Sequence, residues 1–463
     1  MSSVRLTFAP HRERMEAEGL PEIAIRAFAH YFEHLLSGET GLIREHAIRP
    51  VDSLPDSEHL TDADRRAGAD ALPHTVMLKL NGGLGTSMGL ERAKSLLPVK
   101  EGFTFLDVIA RQALSRAMPL VLMNSFSTAD DSRRLLAAYH GVSRSLPLDF
   151  LQHKVPKIAR HDLSPVDWPH NRQLEWCPPG HGDIYTALVT SGMLEALLDA
   201  GYRYLFVSNS DNLGASVDEA ILGYFASRRL PFMMEVADRT PADRKGGHLA
   251  LHPDGGLLLR ESAQCPDEDA GFFQDIERHR FFNTNNLWID IQALERLIEA
   301  NEGVLRLPMI RNAKTVDPRD SGSTPVFQLE TAMGAAIALF EGAGAIRVPR
   351  VRFAPVKTTN ELLAVQSDAY VLLPDFTIAL HPTRGAHVPV VTLDPRYYRT
   401  VDQLAAHTPH GTPSLQECTS LRVEGSIRFG RGVRLIGDVH LVNEHPETVV
   451  LPDGATLEGK ANV

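Results

Sequence analysis

The feature of this sequence that most restricts its fold is a cluster of glycines directly after a short apolar run. Residues 76–80 form a short, largely apolar run, which predicts a buried strand. Four glycines follow within eight residues: Gly82, Gly83, Gly85 and Gly89. Glycines in this place let the backbone approach a phosphate group and turn its N–H groups onto the phosphate oxygens. With Lys94 behind it as a charge partner, the segment predicts a phosphate-binding loop.

The two commonest phosphate loops do not fit this spacing. A P-loop requires a lysine directly after its last glycine, whereas Leu90 follows Gly89 here. A dinucleotide-binding fingerprint read from Gly83 would place Met88 at its last glycine, which disfavours a NAD-dependent dehydrogenase. A structural turn is the other interpretation, but a tight turn rarely needs so many glycines and a trailing lysine.

Charge and cysteine content limit the function classes. The 463 residues carry a formal net charge of −11, which argues against general binding to nucleic acid or anionic membranes. The cysteines, Cys177, Cys265 and Cys418, are far apart and suggest neither a disulfide framework nor a metal site. The N-terminus lacks the apolar region of a signal peptide, and no apolar run reaches ~18 residues. We therefore expect a soluble cytoplasmic protein without a membrane span.

Apolar patterns along the chain predict an α/β protein. Residues 22–36 show the spacing of an amphipathic helix, and apolar stripes at 184–198 and 329–340 predict further helices. Strands are predicted for the short apolar runs 76–80, 120–123, 204–208 and 232–236. Strands that alternate with helices indicate a mostly parallel sheet covered on both faces.

The last part of the chain has a different apolar period. Two rows of apolar residues recur every six positions: Leu421, Ile427, Val433 and Val439 in one row, and Val423, Phe429, Leu435 and Leu441 in the other. A six-residue period that is maintained over successive turns indicates the coils of a parallel β-helix. A few alternating strands would be the simpler alternative.

Eight segments of the chain occur in the order of one known family. They are LNGGLGTSMG (80–89), MNSFSTADDS (123–132), WCPPGHGDIY (176–185), FVSNSDNLGASVD (206–218), MEVADRTPADRKGGHL (234–249), FFNTNNLWI (281–289), QLETAMGAAI (328–337) and APVKTTNELL (354–363). Together they resemble the UTP–glucose-1-phosphate uridylyltransferase (UDP-glucose pyrophosphorylase) family. The related UDP-N-acetylhexosamine pyrophosphorylases have alanine in place of Asn81, which favours the glucose branch. Ala93 stands where the family usually has proline, and His153 and Lys154 are not the usual neighbours of Gln152.

The resemblance implies an α/β fold of the Rossmann-like nucleotidyltransferase (GT-A-like) type. This fold has a mixed sheet with helices on both faces, followed by a C-terminal left-handed parallel β-helix. Prolines at 50–73 suggest a linker. We therefore expect an N-terminal helical segment and linker (1–70), a catalytic nucleotidyltransferase domain (71–385) and a C-terminal β-helix domain (386–463).

The implied reaction joins a phosphate oxygen of glucose 1-phosphate to the α-phosphorus of UTP, which forms UDP-glucose and releases pyrophosphate. The nucleophile is already an anion, so the site needs cations, backbone donors and Mg²⁺ rather than a covalent intermediate. The resemblance implies that Lys94 contacts the triphosphate and Lys357 the phosphates near the reacting centre. Asp211 ends an apolar strand, where ligands of α/β sheets gather, and one carboxylate there suits magnesium. A solvated surface lysine and a turn-capping aspartate are the alternatives.

The resemblance also implies a set of residues that bind the substrates: Leu80, Asn81, Gly82, Gly83, Gln152, Gly180, His181, Asn209, Gly247, Asn285 and Glu330. Gln152 suits the edge of uracil and Asn285 the hydroxyls of glucose, because an amide both donates and accepts. His181 precedes a predicted helix that Asp183 would cap. Glu330 either accepts from a sugar hydroxyl or begins a helix.

Two other functions are compatible with these residues. The chain could be a pyrophosphorylase for another UDP-sugar or for several, or a UDP-sugar-binding regulator without turnover. The expected partners are UTP, glucose 1-phosphate, UDP-glucose and pyrophosphate, and neither nucleic acid nor a membrane. The apolar rows at 421–441 add self-association through the C-terminal domain as an expectation.

Overall fold

A nine-stranded mixed sheet carries most of the buried core. The structure is a computed structural model that describes residues 8–385 and 387–462. Its α-helices are α1 (Ala9–Ala17), α2 (Glu22–Leu36), α3 (Asp62–Ala71), α4 (Phe105–Ser115), α5 (Ala129–Leu136), α6 (Ile184–Thr190), α7 (Met193–Asp199), α8 (Glu219–Ser227), α9 (Ala270–Phe273), α10 (Ile291–Ala300), α11 (Thr359–Gln366), α12 (Pro395–Tyr398) and α13 (Val401–His407). None of the helices in the described ranges is long and apolar enough to cross a membrane.

The strands run from the glycine-rich region to the C-terminus. They are β1 (Thr75–Asn81), β2 (Pro98–Lys100), β3 (Phe103–Thr104), β4 (Leu120–Asn124), β5 (Asp149–Leu151), β6 (Val155–Pro156), β7 (Ile158–Ala159), β8 (Trp176–Cys177), β9 (Tyr204–Asn209), β10 (Phe232–Asp238), β11 (His248–Leu251), β12 (Leu257–Arg260), β13 (Phe281–Asp290), β14 (Met309–Thr315), β15 (Pro325–Thr331), β16 (Gly344–Arg347), β17 (Tyr370–Leu372), β18 (Ile378–Leu380), β19 (Val390–Leu393), β20 (Ser414–Glu424), β21 (Ile427–Arg428), β22 (Arg434–Val442), β23 (Val449–Val450) and β24 (Thr456–Asn462). The four strands predicted from short apolar runs are thus confirmed as β1, β4, β9 and β10.

The central sheet has a parallel half and an antiparallel half. Its strand order is β12-β11-β13-β9-β1-β4-β5, and β10 pairs with both β13 and β16. β1 is parallel to β4 and to β9, and β4 is parallel to β5. β13 runs antiparallel to β9, β10 and β11, while β10 is parallel to β16. The expectation of a mostly parallel sheet therefore holds for β9, β1, β4 and β5 but not around β13.

Helices cover both faces of this sheet. Along β1, Val76 and Leu78 belong to one buried apolar cluster, which includes residues of α6, α7 and α10. Met77 belongs to a second cluster, which includes residues of α4 and α8. The alternation follows from the two-residue period of a strand, and it makes β1 apolar on both sides.

The segment expected to be a linker contains a helix, α3, that packs closely on α8. A Cβ on Gly68 in α3 would lie 1.7 Å from the carbonyl oxygen of Glu219, and a Cβ on Gly223 in α8 would lie 1.7 Å from that of Asp64. Only glycine at both positions allows the two helices to approach so closely. The expectation of a linker over 50–73 is therefore wrong for α3, which belongs to the packed structure.

Two predicted helices also differ from the structure. The apolar stripe at 184–198 is split into α6 and α7, because Gly192 between them has φ +73°. The stripe at 329–340 begins as the end of β15 and continues as a 3-10 helix, Met333–Ala338. A three- or four-residue apolar spacing therefore identified buried positions here without identifying an α-helix.

The C-terminal part contains two small sheets of parallel strands. β19, β20, β22 and β24 form a parallel sheet, and β21 pairs in parallel with β23. Leu421 of β20 lies opposite Val439 of β22, so members of one predicted apolar row are neighbours. Both rows are buried in a cluster that also contains Phe105 and Leu213, so this part shares its core with α4 and with the segment after β9.

Candidate active site

The glycine-rich loop leaves the end of β1 and folds back on itself. Gly85 has φ +67°, which L side chains rarely adopt, and a Cβ there would lie 3.2 Å from Cγ of Lys94. The backbone N–H of Lys94 donates to the carbonyl oxygen of Gly83 at 3.0 Å. Gly83 is exposed, and nothing lies within 4 Å of the place of a Cβ. The loop therefore holds Lys94 and leaves the Gly83 backbone open to a ligand.

Lys94 and Asp211 form an ion pair at the edge of the sheet. Nζ of Lys94 donates to Oδ2 of Asp211 at 2.7 Å, and the two side chains are 14% and 24% exposed. Asp211 follows β9, so the loops after two parallel neighbours meet here. The N–H of Val356 donates to the carbonyl oxygen of Asp211 at 3.1 Å, which brings the exposed Lys357 to the same edge. The structure thus gathers the three predicted catalytic residues.

A buried lysine, Lys79, holds the turn that carries Asp211 against β1. Nζ of Lys79 donates to Oγ of Ser208 at 2.6 Å and to the carbonyl oxygen of Ala215 at 2.8 Å. Burial lowers the pKa of Lys79 to about 7. Lys79 connects β1 to both ends of the turn that carries Asp211. The sequence patterns do not single it out, although a lysine inside an apolar run was the available signal.

The last residues of β1 and β9 have different surroundings. Leu80 lies opposite Asn209, and both are half-buried. Asn81 is only 2% exposed, and its Nδ2 donates to Oδ1 of Asn124 and to Oγ of Ser132, both at 2.7 Å. The Asn81 amide is therefore engaged inside the protein, where it joins β1 to β4 and α5.

Gln152 and Gly180 form one wall of the site next to Gly82. Nε2 of Gln152 donates to the carbonyl oxygen of Gly180 at 3.0 Å, and its Oε1 is 3.2 Å from the place of a Cβ on Gly82. Gly180 has φ +82°, and a Cβ there would lie 2.3 Å from the carbonyl oxygen of Thr331. Cβ of Glu330 lies 3.1 Å from the same position, so Glu330 is on this side of the site. Because Glu330 is in β15, its interpretation as a helix start is wrong.

His181 and Asp183 lie in the 3-10 turn before α6. The N–H of Met333 donates to Nδ1 of His181 at 3.0 Å, and burial lowers the pKa of His181 to about 4. The ring is therefore neutral near pH 7, and its Nε2 carries the proton and can donate. Asp183 makes no side-chain cap on α6, contrary to expectation, because its carboxylate accepts from His153 instead.

Gly247, Asn285 and Glu261 lie at the antiparallel half of the sheet. Asn285 sits at a bulge of β13 with φ +58°, and its Oδ1 accepts from Nδ2 of Asn283 at 2.9 Å. A Cβ on Gly247 would lie 2.5 Å from Oε2 of Glu261, so the carboxyl group covers the Gly247 backbone. Burial raises the pKa of Glu261 to about 7, and the charge of Lys357 opposes this rise. The sequence patterns missed Glu261, whose signal was its place directly after β12.

Cations and open backbone groups at the carboxyl ends of parallel strands bind phosphates, so fold and site together define a nucleotide-binding α/β protein. The model of the family described as UTP–glucose-1-phosphate uridylyltransferase matches residues 25–436. The chain belongs to this family.

Relatives and solved structures agree with this assignment. A UTP–glucose-1-phosphate uridylyltransferase of Musa acuminata is 40% identical over 92% of this chain and 91% of its own length. The enzyme of the same name from Saccharomyces cerevisiae is 42% identical over 84% of this chain and 77% of its own length. A UDP-glucose pyrophosphorylase of Leishmania major in complex with UDP-glucose superposes with a TM-score of 0.91 at 45% identity, covering 99% of this chain and 100% of that one. A Trypanosoma brucei structure superposes with a TM-score of 0.86 at 45% identity, covering 98% of this chain and 99% of that one.

Glu261→Gln is expected to stabilise the protein at neutral and alkaline pH but not in acid. The pKa of Glu261 is raised to about 7, whereas an unfolded chain loses this proton near pH ~4.3. Proton binding therefore stabilises the fold fully below about pH 4, and this contribution is lost as the pH rises through about 7. Glutamine stays neutral throughout. The Tm of the variant minus that of wild type should increase between about pH 4 and 7 and stay constant at higher pH.

Thermal unfolding across the pH range checks this result. The matched control is Glu299→Gln, which alters an exposed glutamate at the end of α10. A Tm difference for Glu261→Gln that does not vary with pH would contradict the raised pKa.

Proposed function

We propose that the chain is a UTP–glucose-1-phosphate uridylyltransferase. It transfers UMP from UTP to glucose 1-phosphate and forms UDP-glucose and pyrophosphate. The observation that carries the proposal is the Lys94–Asp211 pair beside the open Gly83 backbone, in a chain whose relatives carry this name over most of their length. The Leishmania major relative holds UDP-glucose, the proposed product.

In-line transfer requires two anions to be brought together without a covalent intermediate. Lys94 and the backbone of Gly82 and Gly83 hold the triphosphate. Lys357, at the mouth of the site, neutralises the phosphates near the reacting centre. Neutral His181 contributes a hydrogen bond from Nε2 rather than a charge, because burial lowers its pKa. Each well-placed donor of this kind stabilises a transition state by about 3–4 kcal/mol.

The two halves of the sheet separate the nucleotide from the sugar. Gln152 donates through Nε2 to Gly180, so its Oε1 remains to accept from the N3–H of uracil. Cytosine has no hydrogen at N3 and would face this oxygen with a lone pair. On the antiparallel half, Asn285 and the carboxyl of Glu261 over Gly247 supply the donors and acceptors for glucose hydroxyls.

Asp211 suits the magnesium ion of such a reaction. Magnesium is typically held by one or two carboxylates together with waters and substrate phosphates. Within residues 8–385 and 387–462 no group of three or more His, Cys, Asp or Glu residues could hold a metal by itself, so the substrate phosphates would supply further ligands. Oδ2 of Asp211 contacts Lys94, while its Oδ1 has no hydrogen-bond partner in the described part of the chain. Bound there, magnesium would neutralise phosphate charge.

The proposal extends to domain organisation and location. The parallel strands from β19 onward form the left-handed β-helix of the family, and the chain divides near residue 385. The boundary expected near residue 70 moves to the N-terminal side of α3, because α3 packs on α8. The three cysteines are unpaired, which suits the cytoplasm. Among the described residues, the last strands β23 and β24 pair only with β21 and β22, so their outer edges offer a surface for a second copy of the chain.

Purified protein with Mg²⁺ and UTP is expected to release pyrophosphate when glucose 1-phosphate is added, and not with galactose 1-phosphate or N-acetylglucosamine 1-phosphate. Lys94→Ala should lower kcat by about 10²–10³-fold, because it removes a donor to the triphosphate. Lys314→Ala, which alters an exposed lysine in β14, is the control and should behave as wild type. Release with several sugars would indicate a broad UDP-sugar pyrophosphorylase. Binding of UDP-glucose without any release would indicate a regulator.

Asp211→Asn is expected to raise the magnesium concentration needed for half-maximal rate and to lower the maximal rate. The variant removes the carboxylate charge and keeps a similar shape. Pyrophosphate release as a function of added Mg²⁺, after treatment with a chelator, measures this. Asp254→Asn, whose side chain is 72% exposed, is the matched control. An unchanged magnesium dependence in Asp211→Asn would remove Asp211 from the metal site.

Sedimentation over a wide concentration range is expected to show self-association of the full chain. Val450 in the last coil is 57% exposed, and Val450→Lys should weaken the association by placing a charge in the contact. A wild-type protein that stays monomeric at every concentration would argue against this contact.

A further inference from the structure

The wall that faces uracil is built from two segments that one histidine holds together. Gln152 follows β5, and Gly180 lies in the turn before α6. His153, next to Gln152, donates from its backbone N–H to Oδ2 of Asp183 at 2.7 Å. Its ring Nδ1 lies 2.9 Å from Oδ1 of the same carboxylate. One residue thus joins the Gln152 segment to the turn of Gly180 through both its backbone and its side chain.

The contact extends through the other ring nitrogen. Nε2 of His153 lies 3.0 Å from Oγ1 of Thr190, at the end of α6. Because the Asp183 carboxylate only accepts, Nδ1 carries the proton, and Nε2 can accept from the Thr190 hydroxyl. The His153 and Asp183 side chains are 9% and 6% exposed. Hydrogen bonds in such surroundings are stronger than in water and fix the groups that they join.

These three side chains have the order of a nucleophilic triad but not its setting. The cavity beside His153 and Asp183 has a volume of about 30 Å³. This is room for about one water molecule and not for a substrate. The arrangement therefore acts on the position of its neighbours rather than on a substrate of its own.

We propose that His153 is a positioning residue that sets the base selectivity of the nucleotide site. It holds the Gln152 segment against the Gly180 turn, so that Nε2 of Gln152 stays bonded to the Gly180 carbonyl and Oε1 stays turned to the base. Without this contact the Gln152 amide can rotate and present its NH₂ group, which would suit the N3 of cytosine. The inference rests on the proposed function in taking uracil as the base.

The sugar side supplies an internal reference. Gly247, Asn285 and Glu261 lie at the antiparallel half of the sheet, and none of them contacts His153, Asp183 or Thr190 in the hydrogen bonds of the described residues. Loss of the His153 contacts should therefore change nucleotide parameters and leave glucose 1-phosphate parameters alone.

The experiment compares His153→Ala, His153→Asn and Thr190→Val with wild type, using steady-state kinetics with UTP and CTP. His153→Ala is expected to raise KM for UTP and to lower the UTP-to-CTP ratio of kcat/KM, each by about tenfold, the value of one lost hydrogen bond. KM for glucose 1-phosphate should change by less than about twofold. Asparagine keeps a donor near the place of Nδ1, so His153→Asn should recover most of the selectivity. Thr190→Val should lose part of it.

His407→Ala is the matched control. His407 also makes two ring contacts, to the carbonyl oxygen of Gln403 and to Oγ of Ser426, but it lies in α13. Its loss should lower Tm without changing base selectivity. The proposal is overturned if His153→Ala lowers Tm while the UTP-to-CTP ratio of kcat/KM stays constant. It is also overturned if KM rises equally for UTP and for glucose 1-phosphate. If His153→Ala does not fold, unchanged ratios in both His153→Asn and Thr190→Val overturn it.

Calorimetric titration separates this inference from the proposed function. UDP and CDP are titrated into wild type, His153→Asn and Thr190→Val without any turnover. If wild type releases no pyrophosphate but prefers UDP, and the preference falls in Thr190→Val, the function is wrong and the role of His153 stands. A wild-type protein that binds UDP no better than CDP overturns the role of His153 whether or not it turns over.

Discussion

A buried ion pair between Glu235 and Arg352 connects the parts of the protein that carry the site. The Glu235 side chain is fully buried and accepts from Arg352 at 2.7 and 2.8 Å, from Nδ2 of Asn286 at 3.0 Å and from Nε1 of Trp288 at 2.9 Å. The Arg352 carbonyl oxygen in turn accepts from Asn212 at 3.1 Å. Removing one partner of such a pair typically costs about 3–5 kcal/mol, because the other charge stays buried. One carboxylate therefore connects β10 and β13 to the segment that leads to Lys357.

This connection brings together candidate site residues that are distant in sequence. Asn212 adjoins Asp211, Asn286 adjoins Asn285, and Arg352 precedes Lys357 by a few residues. The ion pair thus lies behind the residues that we propose for magnesium, glucose and the phosphates. The neighbouring residues proposed to bind substrate, Asp211, Asn285 and Lys357, remain at least partly exposed, whereas Glu235, Asn286, Asn212 and Arg352 behind them are buried and hydrogen-bonded. Such division keeps the exposed groups in position before the substrate arrives.

Local patterns predicted the parts of the site that depend on backbone conformation. A glycine in a motif often indicates a backbone with positive φ, and both Gly85 and Gly180 have positive φ. Polar side chains were harder to place. Asn81 and Asp183 both lie in recognisable motifs, yet their side chains are engaged inside the protein, by Asn124 and His153. A motif shows that a residue type is required, but not whether substrate or protein requires it.

The sequence by itself determined the family, the glycine loop, the central strands and the identity of the candidate cations, because each of these follows from residues close together along the chain. Only the tertiary structure decided that the sheet is antiparallel around β13, that Glu330 lies beside Gly180, and that Glu261 covers Gly247. Those facts depend on contacts between segments far apart in sequence. Strand direction and burial set these contacts, and no local pattern records which distant segment will be the neighbour.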